Sequence, residues 1–130
     1  MLQKLVTHLS STLPGLIAVY RFGSWGTTLA RPDSDIDLAI LVEPPLDAIA
    51  CWNLAQELAN IAGRDVDLVE LREASTVLRA QIIGHGERLY CSGELECERF
   101  EDLAYVQYAR LNEERRQILK DVAERGRIHA

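Results

Sequence analysis

The chain has 130 residues, of which 48% are hydrophobic and 26% charged, the profile of one ordinary folded domain and not of a disordered or fibrous chain. Its formal charge of −6 lacks the electrostatic footprint on which nucleic-acid affinity rests, and no local basic strip offsets it, so no direct nucleic-acid partner is expected. No apolar run approaches the roughly 20 residues that cross a bilayer, and Met1 to Ser11 has neither the apolar core nor the cleavage site of a signal peptide; a cytoplasmic protein without a membrane partner is expected.

In chain order, Leu2 to Thr12 places Leu2, Leu5, Val6 and Leu9 on one helical face, and Pro14-Gly15 ends the pattern. Leu16 to Phe22 is a short apolar run and predicts a strand. Gly23 to Ala30 reads as a turn into a short helix, and Arg31-Pro32-Asp33-Ser34 as a loop. Asp35 to Val42 predicts a second strand, closed by Pro44-Pro45. A helix follows from Leu46 to Ala62 with Gly63 as its C-terminal cap, then a third strand from Asp65 to Leu71. Ala74 to Ile83 reads as a helix stopped by Gly84, and Glu87 to Cys91 as a small edge strand.

From Leu95 to about Glu124 one long helix or two are expected, with Phe100, Leu103, Leu111, Ile118 and Val122 near one stripe. A helix this long outruns a sheet of three or four strands. It either packs back on the sheet or serves as an arm for a partner. The expected architecture is α/β: a small mixed β-sheet with helices packed on it as the core (residues 1–93), and a C-terminal helical extension of the same domain (residues 94–130). Cys51, Cys91 and Cys97 form an odd set without a CxxC spacing, which argues against a disulfide framework or a zinc site. Cys91 and Cys97 are near enough to meet, but idle thiols are expected in a reducing compartment.

Three features on neighbouring elements carry chemistry. Gly23-Ser24 follows a strand and opens a helical turn, where close backbone approach, free N–H groups and the Ser24 hydroxyl suit a phosphate. Alone, such a pair is usually just a turn. Asp35 and Asp37 begin the next strand, and their i, i+2 spacing projects both carboxylates to one face. Paired acids repel unless a cation neutralises them, and hard divalent ions such as Mg²⁺ suit them best. Ile36 and Leu38 then face the opposite side as core. Asp65 and Asp67 repeat the arrangement on the following strand, and spacing does not choose between them. A metal-bound carboxylate there would accept the proton of an incoming hydroxyl. The set describes two-metal phosphoryl transfer, which needs mainly positioning and charge neutralisation.

Gly23-Ser24, ten residues, then Asp35-Ile36-Asp37 resembles the GSx10DxD signature of the DNA polymerase β-like nucleotidyltransferases. The segment FGSWGTTLARPDSDIDLAILV is similar to their smallest members, the minimal nucleotidyltransferases (MNT), and DVDLVEL to the strand bearing their third carboxylate. The resemblance covers the chain to about Tyr90. It implies that Gly23 and Ser24 hold the triphosphate, that Asp35, Asp37 and Asp67 are both the catalytic acids and the ligands of two Mg²⁺ ions, and that Asp67 helps deprotonate the acceptor. MNT proteins of this length are commonly antitoxins paired with a HEPN ribonuclease toxin, which implies AMP transfer from ATP to a toxin tyrosine within a hetero-oligomer. The alternatives are an antibiotic-type enzyme acting on a small-molecule hydroxyl, and a binding module that masks the toxin without chemistry. About 40 residues after Tyr90 leave little room for a drug-binding domain, and three intact acids speak against mere masking.

Overall fold

The computed structural model describes residues 1–23 and 35–129. Among these residues the elements run α1 (Leu2–Thr12), β1 (Leu16–Phe22), β2 (Ile36–Val42), α2 (Ala48–Ala62), β3 (Val66–Glu70), α3 (Thr76–His85), β4 (Glu87–Cys91) and α4 (Glu94–His129). The four strands form one mixed sheet in the order β3-β2-β1-β4. β1 is antiparallel to both β2 and β4, whereas β2 and β3 are parallel. A parallel pair needs a crossover, and α2 supplies it.

Alternation along β2 divides the core. Ile36, Leu38, Ile40 and Val42 join Leu5 and Leu9 of α1 and Leu54 and Leu58 of α2 on one face. Ala39 and Leu41 join Tyr20, Ile82 of α3 and Cys97 of α4 on the other. The odd-numbered positions of β2 therefore look towards α3 and α4, and Asp37 is one of them. Ile36 and Leu38 are fully buried, the anchoring expected of them.

Local chemistry sets the helix ends. Asp47 accepts a hydrogen bond from the Ala50 N–H at 2.7 Å, so α2 begins two residues later than the apolar pattern implied. Gly63 ends it in the left-handed region, at φ 69°. Ser75 accepts from the Leu78 N–H at 3.1 Å and caps α3. The expected stop at Gly84 is overturned: α3 runs through it to His85, and Gly86 is the cap. A Cβ on Gly84 would lie 3.7 Å from the Tyr105 hydroxyl, so this glycine sits where α3 packs against α4. Tertiary packing here outweighs the weak helix propensity of glycine.

Cys91 at the end of β4 and Cys97 in α4 are joined as a disulfide, against the expectation of idle thiols. The turn through Ser92-Gly93 folds the helix back until the two Cα atoms are 6.6 Å apart, within the span a disulfide bridges. Cys51 is free.

α4 is one continuous helix, which decides between one and two. Cys97 and Ala104 are buried and Phe100 packs beside them on the sheet face. From Glu113 to Arg125 every side chain is exposed, including Ile118, Leu119 and Val122. The first third of α4 thus belongs to the core and its distal part leaves it. No helix among the described residues is long and apolar enough to cross a membrane.

Candidate active site

The sheet register places two of the expected acids side by side. Asp37 and Asp67 are partners in the parallel β2–β3 ladder, and Phe22, the residue before Gly23, is the partner of Asp37 on β1. Three neighbouring strands thus bring the Gly23 turn, Asp37 and Asp67 into one row. Asp67 shares the odd-numbered side of β3 with Val69, which packs on the same core face as Ala39 of β2. Asp65 stays outside the strand, where its carbonyl accepts from the Ile36 N–H at 3.0 Å. The ladder thus sets Asp67, and not Asp65, opposite Asp37.

Gly23 takes φ 76°, and a Cβ there would fall within the Asp37 carboxylate. Only a glycine leaves room for both the turn and the acid. Burial pushes the Asp37 carboxyl up to about 6, helped by the Asp67 carboxylate, by a hydrogen bond shared with Asp67 and by the charge of Asp35. Asp35 itself lies exposed just before β2. Among the described residues, no three acid, histidine or cysteine side chains are already gathered as a ready metal cage. The tight unit is the Asp37–Asp67 pair, with Asp35 acting on it electrostatically. Mutual repulsion of this kind is what a hard divalent cation relieves, and an all-oxygen donor set fits Mg²⁺. Ser24, Trp25, Gly26 and Asp33, with the expected short helix after Gly23, lie outside the described residues.

Two cavities flank this row. One, of about 340 Å³, adjoins the glycine and is lined by Phe22, Gly23, Leu78, Gln81, Ile82, His85 and Gly86. The other, of about 640 Å³, lies between α2 and β3 and includes Asp67 in its wall. Gln81, His85 and the α2–β3 cavity had no signal in the sequence, because neither a motif nor a periodicity marks them.

Other polar residues have structural partners. The Arg21 guanidinium pairs with Glu87 at 3.2 Å across β1 and β4. Arg72 pairs with Glu43. Arg79 donates to the Leu71, Arg72 and Ala74 carbonyls and to Gln107, and lies 5.9 Å from the Phe100 ring centre. His8 approaches Glu57 at 3.2 Å. The Tyr20 hydroxyl donates to Glu101 at 2.7 Å, and burial with that contact holds the phenol well above its usual range.

A strand-borne pair of acids beside a glycine turn, on a small mixed sheet, is the organisation of a nucleotidyl-transferring site. Residues 3–95 match the family model described as polymerase beta, nucleotidyltransferase, and the chain belongs to that family. Among individual relatives it is 40% identical to the protein adenylyltransferase MntA of Shewanella oneidensis, over 92% of this chain and 85% of that one. A toxin–antitoxin crystal structure with AMP-PNP contains a chain 40% identical, with TM-score 0.82, over 92% of this chain and 96% of its own. The complex of a tri-AMPylated S. oneidensis HEPN toxin with its MNT antitoxin contains another, 40% identical with TM-score 0.77, over 92% and 93% of the two chains.

Proposed function

We propose that this chain is an antitoxin that transfers AMP from ATP to a tyrosine hydroxyl of a cognate HEPN ribonuclease toxin and thereby silences it. The observation that carries this reading is the register of Asp37 against Asp67 beside Gly23, in a chain 40% identical to a protein adenylyltransferase. The relative solved with AMP-PNP supports ATP as donor, and the one solved with an AMPylated HEPN toxin supports a protein acceptor in a hetero-oligomer. A cytoplasmic site of action accords with such a pair.

In this mechanism Gly23 and Ser24 grip the triphosphate through backbone N–H groups and the serine hydroxyl. The cavity beside Gly23 receives the nucleoside, with Gln81 and His85 in its wall. Asp35, Asp37 and Asp67 would hold two Mg²⁺ ions, which when bound neutralise the phosphate and carboxylate charge. Asp67, at the wall of the cavity on the other side, faces the incoming hydroxyl and takes its proton. The transfer breaks the bond between the α-phosphorus and the bridging oxygen, forms one to the acceptor oxygen and releases pyrophosphate. Residues 1–93 form the catalytic core, and residues 94–130 extend it with the helix whose distal, exposed apolar residues offer the toxin a docking surface.

The double substitution Asp35→Ala with Asp37→Ala tests catalysis against masking. The variant is expected to co-purify with the toxin yet fail to relieve ribonuclease activity in a cleavage assay. Full relief by the variant would show that masking suffices.

A further inference from the structure

The α2–β3 cavity holds a group that neither the fold nor the proposed transfer uses. Glu70 is 5% exposed, its Oε2 is buried without a hydrogen-bond partner, and it lines this cavity. Its Oε1 accepts only a long contact from the Arg72 N–H at 3.4 Å. A buried carboxylate oxygen without a donor costs free energy, and at a cavity wall a rotation of the side chain would bring it within reach of a donor from outside. Burial raises the Glu70 carboxyl's affinity for its proton; Glu73 adds to this, while Arg72 and Arg79 oppose it.

The rest of the lining defines the visitor. Asp47, Asp67 and Glu73 share the wall, and no Lys, Arg or His does among the described residues. Apolar side chains fill the remainder, and Trp52 is 63% exposed at this cavity, with Ile49 one turn earlier on α2 also exposed. An aliphatic stem ending in a planar cation matches all three properties: it lies along apolar walls, stacks on an indole and donates in a fork to a carboxylate. Lysine fits less well, because its ammonium is more strongly hydrated and does not stack.

We propose that the α2–β3 cavity is an acceptor-side recognition pocket that takes an arginine side chain of the protein being modified, with Glu70 as the buried anion and Trp52 as the stacking face. The pocket rests on the reading of the chain as a protein-modifying enzyme and deepens it. Asp67 borders this cavity, although by strand alternation it projects to the opposite face of β3 from Glu70, so an arginine seated here holds its own segment at the β3 margin beside the site of transfer. Specificity for the partner then comes from a charge that only a cation can satisfy.

The test has two arms on the full chain. In the first, the ¹⁵N-labelled protein is titrated with N-acetyl-arginine amide and, separately, with the neutral isostere N-acetyl-citrulline amide. A saturable shift of the Trp52 indole N–H with the arginine probe, absent with citrulline and lost in Glu70→Gln, is expected. No shift with arginine, or an equal shift with citrulline, overturns the pocket. In the second, Glu70→Gln and the surface variant Trp52→Ala are each expected to weaken the complex with the HEPN toxin by about 10- to 100-fold while ATP affinity stays unchanged. Unaltered toxin affinity in both overturns the proposal, as does an aminoglycoside that moves Trp52 far more strongly than the arginine probe does. Failure of the adenylyltransferase reading looks different: the wild-type chain would then transfer no AMP, whatever the probe does at Trp52.

Discussion

A side chain at position 23 would occupy the space of the Asp37 carboxylate, and the backbone there has a positive φ, so the turn and the acid are fitted to each other. Gly23→Ala is expected to keep the circular dichroism of the wild type and to lower AMP transfer by about 100-fold or more, since a displacement of about 1 Å at a reacting centre costs that much. Asp37 supplies a second prediction. Its carboxyl, ordinarily at 3.8, sits at about 6 in the folded chain, so the folded state binds the extra proton between these values. Stability in metal-free buffer therefore falls as pH rises from about 4 to about 6. The gap is worth at most about 3 kcal/mol, and partial solvent screening reduces it to on the order of 1–2 kcal/mol. Asp37→Asn should lack this fall and be more stable than wild type above pH 7 by that amount, while losing activity; urea unfolding in EDTA at pH 4.5 and 7.5 measures it. Equal pH dependence in both proteins would mean that neither burial nor the neighbouring acids raise the Asp37 carboxyl.

At the scale of elements, sequence periodicity located α1, β1 and β4 to the residue, because each is bounded by an abrupt change of pattern. The acids themselves were legible, but not their pairing: i, i+2 spacing joins Asp35 to Asp37, whereas Asp35 lies exposed before β2 and the ladder sets Asp67 beside Asp37. Spacing alone did not say whether Asp65 or Asp67 meets Asp37, because that depends on β2–β3 register, a non-local property; only the family resemblance pointed to Asp67. The same reason hides Gly84, which the contact with α4 makes tolerable inside α3, and Cys91 with Cys97, whose pairing depends on how α4 folds back. Glu70 gave no signal, for an acid at the end of a strand is ordinarily solvated. Arg79 is structural: it satisfies three backbone carbonyls between β3 and α3 and reaches Gln107 of α4. Arg79→Ala should destabilise the chain by about 2–3 kcal/mol through the carbonyls left unpaired. A shift of the urea midpoint at constant slope would measure this; no shift would mean that water replaces the guanidinium.

For the whole molecule, one compact sheet presents the acids at an edge between two cavities while α4 projects past it. Residues 113 to 129 span about 25 Å as helix, with Ile118, Leu119 and Val122 uncovered. This division, a small catalytic core and a long exposed helix, suits an enzyme whose substrate is a folded protein held by more than the reacting residue. Covalent transfer is read from the intact mass of the HEPN toxin after incubation with this chain, ATP and Mg²⁺. Mass added in whole AMP steps by the wild type, and none by the Asp35→Ala, Asp37→Ala double variant, is the expected result. An unchanged toxin mass in a stable complex with the wild type would contradict it.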